Sequence, residues 1–318
     1  MADDAFLSAV VHTLRLEAQG ILSLELRPLP SVEFPSFEAG SHIDLHLPNG
    51  LSRSYSLFNS PTDRNRYVVG VLNDVKSRGG SRYVHEQLRV GQVLKLGFPR
   101  NNFRLEEDAP RTVLVAGGIG VTPILCMFNR MRALGRPVEM LYCARSRGEA
   151  AFADELMASG GQVRVRFDDE TGAPPDLKDL LAGHPAETHF YCCGPTPMLN
   201  AFEAACKELR YAHCHVERFA PADEVTAVQV DSYQVTLTRS RKTIDVPSGI
   251  NLLDALLQAG VECEYSCREG VCGVCETSVI DGEIDHRDSV LSAREREAGK
   301  TMMICVSGCK GRKIVLDL

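Results

Sequence analysis

The sequence predicts three consecutive architectures: an antiparallel sandwich or barrel, a doubly wound parallel α/β layer, and a small α+β unit. Three observations carry this reading. Short alternating runs broken by Gly, Pro and Asn fill roughly the first hundred residues. Continuous apolar runs then alternate with helix-period segments. Past a short acidic stretch containing Pro221, the pattern becomes hairpin, helix and a loop crowded with cysteine. A chain of 318 residues is long enough for two or three such units.

In the first block, residues 42–47 alternate before Pro48-Asn49-Gly50, and residues 92–98 follow Gly91. Short strands with frequent turns suit a sandwich or barrel. In the second block, residues 112–116 form an apolar run suited to a buried parallel strand. A helix is predicted over 123–134, ending at Gly135. Strands follow at 138–143, 163–167, 189–193 and 214–219, with helices at 151–159, near Asp179 and at 197–209. Strands alternating with helices imply a doubly wound sheet. Residues 220–224 read as a linker. Residues 233–238 and 242–246 read as a hairpin, 251–259 as a helix closed by Gly260, and the chain ends on strands near Ile304 and Ile314. The expected boundaries are 1–105, 106–224 and 225–318.

Composition excludes several classes. Apolar residues at 44% and charged residues at 24% are ordinary globular usage, not that of a disordered chain. No apolar run approaches the roughly 18 residues of a membrane span. The start, MADDAFLSAVVHTLRL, carries two acids and lacks a basic n-region, so a cytoplasmic protein without a secretory signal is expected. A net charge of −7 makes nucleic acid an unexpected partner. Nothing in the pattern demands more than a monomer.

Twelve cysteines are too few for a disulfide scaffold, and they cluster. Cys267, Cys272 and Cys275 have the spacing C-x4-C-x2-C, with Cys305 further on. That is the plant-type [2Fe–2S] arrangement. Gly270 and Gly273 give the loop the open backbone it needs for N–H groups to approach sulfur. The alternative is zinc, but zinc sites usually pair short spacings, and only one C-x2-C exists here. Cys263 and Cys309 lie four residues from the outer ligands and read either as ligands or as small buried hydrophobes. Cys126, Cys143, Cys192, Cys193, Cys206 and Cys214 read as core or pocket lining.

Two further motif pairs bear chemistry. In Arg53-Ser54-Tyr55-Ser56, an Arg can fork a phosphate, an aromatic can stack on a flat ring, and a Ser can meet a ring nitrogen. Arg78-Gly79-Gly80-Ser81 reads as a helix start, whose N–H groups would form an anion site, or as a plain glycine turn. Ala116-Gly117-Gly118-Ile119-Gly120-Val121-Thr122-Pro123 follows a buried strand and opens a helix. Its small residues would let a pyrophosphate approach the helix N-terminus, and Pro123 suits a first turn. Tyr191-Cys192-Cys193-Gly194-Pro195, then Met198, makes a second strand-to-helix junction about 75 residues on. Either could instead be a structural turn.

Taken together, the run Cys267 to Cys275, Glu283 to Leu291 and Met303-Ile-Cys-Val-Ser307 resembles the C-terminal domain of the phthalate dioxygenase reductase family, the class IA reductases of Rieske oxygenases. The resemblance spans essentially the whole chain and its domain order. It implies an antiparallel β-barrel flavin domain, an α/β nucleotide domain and a β-grasp plant-type ferredoxin domain. It favours Cys305 over Cys309 as fourth cluster ligand. It implies FMN, with Arg53, Ser54, Tyr55 and Ser56 at phosphate and ring, Gly70, Val71 and Leu72 along the ring edge, Gly79, Gly80 and Ser81 at the phosphate, and Phe219 over the second face. It implies a nicotinamide site from Gly117, Gly118, Gly120, Thr122, Pro123, Cys193, Gly194, Pro195 and Met198. Ser56 and Cys193 would then lie where hydride moves. Arg145-Ser146-Arg147 is either a 2′-phosphate site or a solvated loop; with Asp168-Asp169 at the next strand end, NADH is the expected coenzyme.

A hydride carries two electrons and an iron–sulfur cluster accepts one, so a flavin between them resolves the mismatch. The implied chain is NADH to FMN to [2Fe–2S] to a Rieske-type aromatic oxygenase, a ring hydroxylase or an O-demethylase. The alternatives are a reductase for a cytochrome or a separate ferredoxin, or a redox-sensing protein. Residues 254–288 hold nine acids against Arg268 and Arg287, so this face is either the docking surface for a basic acceptor or a solvated acidic face.

Overall fold

A computed structural model describes residues 6–75, 77–160, 162–221 and 231–318. They form two compact units, Met1–Glu217 and Arg218–Leu318. Residues 222–224 of the expected linker lie outside the described residues.

The first unit opens with strands β1 (Leu7–Ala18), β2 (Ile21–Pro28), β3 (His42–His46), β4 (Ser52–Ser56) and β5 (Tyr67–Leu72), helix α1 (Gly80–Glu86) and strand β6 (Val93–Leu96). The sheet order is β4-β3-β6-β1-β2-β5, antiparallel throughout. A bridge from Leu57 to Val69 joins the two outer strands. Closure of this kind removes the exposed edges, so the barrel alternative holds.

The parallel layer follows in the same unit: β7 (Thr112–Gly117), α2 (Val121–Ala133), β8 (Val138–Ala144), α3 (Ala153–Ala158), β9 (Gln162–Phe167), α4 (Asp168–Thr171), α5 (Leu177–Leu181), β10 (His189–Cys193), α6 (Thr196–Glu208) and β11 (His213–Glu217). The order β11-β10-β7-β8-β9 is parallel throughout. Every residue of β7 is buried, as expected for a central strand covered on both faces. Helix α3 starts two residues later than its sequence pattern suggests. Phe152 adopts a left-handed conformation (φ 63°), and its ring packs 5.0 Å from that of Phe58 in the barrel.

Barrel and parallel layer, expected as separate domains, share one apolar core that runs from Ala9 and Val11 to Tyr191 and Cys193. A second core fills the other face of the parallel sheet around Phe190, Phe202 and Leu199. Across β10 and β11, in-register pairs stack their rings. His189 lies 4.3 Å from His213, and Tyr191 lies 4.4 Å from His215.

The second unit contains β12 (Tyr233–Leu237), β13 (Lys242–Val246), α7 (Leu252–Gln258), β14 (Glu276–Asp281), β15 (Ile284–Asp285), α8 (Ala293–Ala298), β16 (Thr301–Met303), β17 (Gly308–Cys309) and β18 (Lys313–Leu316). Its main sheet is β13-β12-β18-β14-β16, mixed because β12 and β18 run parallel. Helix α7 starts at Asn251, whose side chain accepts the Asp254 N–H at 2.8 Å. Its Leu252, Leu253 and Leu256 enter a core with Val235, Met302 and Ile314. A helix over a five-stranded mixed sheet is the α+β, β-grasp arrangement expected for this block.

Candidate functional site

The first unit's site is built on bare backbone. The order of the parallel strands reverses between β7 and β10, and ligands of open α/β sheets bind at the carboxyl ends of strands flanking such a reversal. Gly117 ends β7, Gly118–Gly120 makes one 3-10 turn, and α2 begins at Val121. A Cβ at Gly120 would fall 2.3 Å from the carbonyl oxygen of Cys193. One at Gly117 would fall 2.4 Å from Met198 Sδ and 2.8 Å from Pro195 Cδ. The two nucleotide motifs therefore interlock, and only glycine lets them do so. A Cβ at Gly118 (φ 52°) would meet nothing within 4 Å, so the turn has room for a phosphate. Thr122 donates its hydroxyl to the Ile119 carbonyl at 3.1 Å, which leaves its methyl facing the barrel.

That methyl meets the flavin-motif strand. A Cβ at Gly70 would lie 2.7 Å from Thr122 Cγ2 and 3.4 Å from Ile119 Cδ1. Val71 is buried and its carbonyl meets His85 Nε2 at 2.9 Å, while Leu72 is exposed. On β4, residues 53 and 55 share one face, and 52, 54 and 56 share the other. Ser54 is committed within the barrel: its hydroxyl donates to Asp44 Oδ1 at 2.5 Å, and Asp44 also pairs with Arg100 at 2.7 Å. The Arg53 side chain covers Gly80, where a Cβ would lie 2.6 Å from Arg53 Cγ. Helix α1 starts at Gly80 after Gly79 in a left-handed conformation (φ 98°). Ser81 Oγ accepts the Asp74 N–H at 3.3 Å. Burial pushes the Tyr55 phenol up to about 12, so it stays neutral.

Ser56 and Cys193, from different halves of the unit, meet at a residue that the motifs did not single out. Ser56 Oγ donates to Glu217 Oε2 at 3.4 Å, and Cys193 Sγ lies 4.0 Å from the same oxygen. Burial pushes the Glu217 carboxyl up to about 8 against the opposing hydrogen bond from Ser56. Cys193 is raised as well, by burial and then by the Glu217 charge. A neutral acid, a hydroxyl and a protonated thiol thus converge at one point. Glu217 gets there because it ends β11 in register with Cys193 on β10.

Around the coenzyme-choice residues, Arg147 is engaged. It lies 4.8 Å from the Phe167 ring, 3.4 Å from Asp154 and 4.0 Å from Glu170. Arg145 is exposed, and its carbonyl accepts the Asp169 N–H at 3.0 Å. Asp168, Asp169 and Glu170 form the first turn of α4. Phe219 belongs to the second unit and is 41% exposed.

In the second unit, Cys267, Cys272, Cys275 and Cys305 are all nearly buried, at 4–6% exposure. Hydrogen bonds between thiols link Cys267 to Cys272 and Cys305, and Cys275 to Cys305. Cys267 is thereby lowered, by Cys272 first, then Cys305, and with help from the Val271 and Glu269 N–H groups. Gly270 (φ 67°) must be glycine: a Cβ there would lie 2.5 Å from Val306 Cγ2 and 3.0 Å from Asp288 Cα. Among the described residues no three His, Cys, Asp or Glu side chains gather as a single-ion site. Four thiols linked in one chain, three of them from a C-x4-C-x2-C loop, fit a two-iron cluster, which takes two thiolates per iron. Cys309 stands apart, donating to the Lys313 carbonyl at 3.3 Å on a polar groove lined by Tyr233, Asp285 and Arg312. Cys263 is half-buried, with its thiol raised by burial.

Comparison with known proteins agrees with this organisation. Residues 235–310 match the 2Fe-2S iron-sulfur cluster binding domain, and residues 98–216 match the N-terminal domain of dimethylamine monooxygenase subunit DmmA-like proteins. The chain is 34% identical to the crystallised phthalate dioxygenase reductase, over 99% of each chain, with a TM-score of 0.74. It belongs to the phthalate dioxygenase reductase family. Within that family, the chain is 48% identical to phenoxybenzoate dioxygenase subunit beta of Ectopseudomonas oleovorans, over 97% of this chain and 96% of that one. Tetrachlorobenzoquinone reductase of Sphingobium chlorophenolicum is 46% identical over 95% and 94%. An intact type IV self-sufficient cytochrome P450 monooxygenase superposes with a TM-score of 0.90 at 41% identity; it covers 98% of this chain, but this chain spans only 41% of it. The chain is thus an electron-transfer oxidoreductase with an iron–sulfur domain, of the kind that serves oxygenases. No helix among the described residues is long and apolar enough to cross a membrane.

Proposed function

We propose that this chain takes hydride from NADH onto FMN and passes electrons singly through its [2Fe–2S] cluster to a Rieske-type aromatic oxygenase. The observation that carries the reading is the meeting of Gly70 with Thr122 and Ile119, which sets the flavin-motif strand against the nucleotide turn. When bound, the flavin accepts two electrons at once and releases them one at a time.

The chain's own residues perform the rest. The glycine turn at 117–120 and the first turn of α2 receive the pyrophosphate, and the Cys193–Met198 junction borders the nicotinamide. Arg53 and the Gly79–Ser81 turn hold the FMN phosphate, while Tyr55 presents its ring. Ser56 and Cys193 orient the reacting edges, and the neutral Glu217 keeps its own proton beside them. The acids that engage Arg147 and lead α4 disfavour a 2′-phosphate, which supports NADH. Cys267, Cys272, Cys275 and Cys305 hold the cluster.

The oxygenase docks on the acidic face. Asp254 pairs with Arg268 at 3.1 Å, Asp285 pairs with Arg287, Glu283 with Lys310 at 3.5 Å, and Asp288 is buried, but Glu262, Glu264, Glu276 and Asp281 are exposed. Such charge speeds encounter and fixes orientation, so electron delivery should slow as salt rises.

The test is an anaerobic titration with limiting NADH, read by visible absorbance and low-temperature EPR. Bleaching of flavin and cluster with a one-electron cluster signal is expected. Flavin reduction with an EPR-silent cluster would refute the reading. A second acceptor class is favoured by the tetrachlorobenzoquinone reductase relative: an electrophilic quinone reduced directly at the flavin. Quinone turnover that survives loss of the cluster would establish it.

A further inference from the structure

Outside the cluster and the proposed hydride site, one pair of side chains among the described residues is in position for chemistry. Cys206 lies on the last turns of α6 and Cys214 is the second residue of β11. The two thiols pack in the same apolar cluster, within hydrogen-bond reach of each other. The corner between them is pinned. The Tyr211 N–H donates to the Cys206 carbonyl at 3.0 Å, and the Cys214 thiol lies 3.6 Å from the Tyr211 carbonyl. Tyr211 itself stacks on Phe190 at 4.3 Å and donates its hydroxyl to the Leu181 carbonyl at 2.8 Å. Cys206 is buried in the apolar core, whereas Cys214 reaches partly to solvent. This is the layout of an attacking thiol at the surface with a resolving thiol behind it.

We propose that Cys206 and Cys214 form a reversible disulfide on exposure to a hydroperoxide, which makes this helix–strand corner an oxidative modification site. The Cys214 thiolate attacks one peroxide oxygen; the O–O bond breaks, giving a sulfenic acid and hydroxide. The Cys206 sulfur then displaces the sulfenic oxygen. In total, two thiols and one hydrogen peroxide give one disulfide and two waters, with sulfur oxidised and peroxide reduced. Five other thiols outside the cluster are poor competitors. Burial raises Cys126 and Cys143 to about 12, and also raises Cys193, Cys263 and Cys309. Cys214 is instead lowered, by the Cys206 hydrogen bond.

The test treats the full chain, cofactors bound, with equimolar hydrogen peroxide, followed by alkylation, trypsin and fragmentation mass spectrometry. Lys207 and Arg210 place the two cysteines on separate peptides. The expected product is a linked species about 2 Da lighter than the two reduced peptides together. Fragmentation should locate its bond at Cys206 rather than Cys192 or Cys193, and thiol reductant should reverse it. Cys214→Ser should abolish the link, and Cys206→Ser, given a second equivalent of peroxide, should let the Cys214 sulfenic acid proceed to sulfinic acid. The proposal is overturned if both cysteines remain alkylatable after peroxide, if Cys214 pairs with Cys192, or if Cys193 oxidises first.

Discussion

Glu217→Gln is the sharpest perturbation of the proposed hydride site. In the folded chain this carboxyl is pushed up to about 8, chiefly by burial. In an unfolded chain it titrates near 4.5. Between those values the native state keeps a proton that the unfolded state has released. Stability therefore falls as pH rises through that window, and the contribution is complete only below the unfolded value. At about 1.4 kcal/mol per pH unit the ceiling is roughly 5 kcal/mol. Glu217 keeps partial access to solvent, so a loss of about 2 kcal/mol between pH 5 and pH 8 is the working expectation. Gln has nearly the same shape and no charge, so the variant should lose that slope. It should match the parent near pH 5 and exceed it by about 2 kcal/mol near pH 8. The assay is denaturant unfolding of both proteins across this range, followed by release of flavin fluorescence; the difference between the curves cancels every slope they share. Parallel pH profiles would show that Glu217 is ionised throughout and would remove the neutral acid from the site.

Three further outcomes follow from the geometry. Gly120→Ala places a methyl against the Cys193 and Gly194 backbone, and an overpacking cost of about 1–3 kcal/mol should lower kcat/KM for NADH roughly 10- to 100-fold; unchanged NADH kinetics with flavin retained would refute the interlocked site. Cys305→Ser should lose the cluster's visible and EPR signals, while Cys309→Ser, which keeps a donor to the Lys313 carbonyl and buries a hydroxyl in the core, should keep both at a cost of about 1 kcal/mol. Burial and the neighbouring His189 and His213 push His215 down to about 4, so stability should drop as pH falls from about 6.5 towards 4, by about 1–2 kcal/mol after allowance for solvent; His215→Phe, which keeps the ring stack, should flatten that acid limb in thermal melts.

What the sequence made legible divides along a physical line. Wherever the backbone itself is the ligand, the signal is local. The glycine turns at 79–80 and 117–120 and the C-x4-C-x2-C loop must be written in consecutive residues, because only those residues can shape the turn. The helix and strand patterns between them are equally local, which is why the barrel, the parallel layer and the α+β unit could be read in order. Side-chain partnerships are different. Ser54 sits inside the Arg53–Ser56 motif, yet its hydroxyl is spent on Asp44, ten residues away and in register on the neighbouring strand. Arg147 looks like a phosphate ligand until Asp154 and Glu170 are folded against it.

Glu217 is the strongest case. It stands 24 residues from Cys193 and 161 from Ser56, and no local pattern marks it. One inference could have reached it. A parallel sheet pairs residues at equal depth, so an acid closing the strand beside a buried thiol must end at that thiol's level. Cys206 and Cys214 obey the same rule, since a helix that returns to its own sheet brings its last turn over the start of the next strand. In this fold the motifs declare which groups bind. The register decides which neighbours set their protonation, and with it the chemistry they perform.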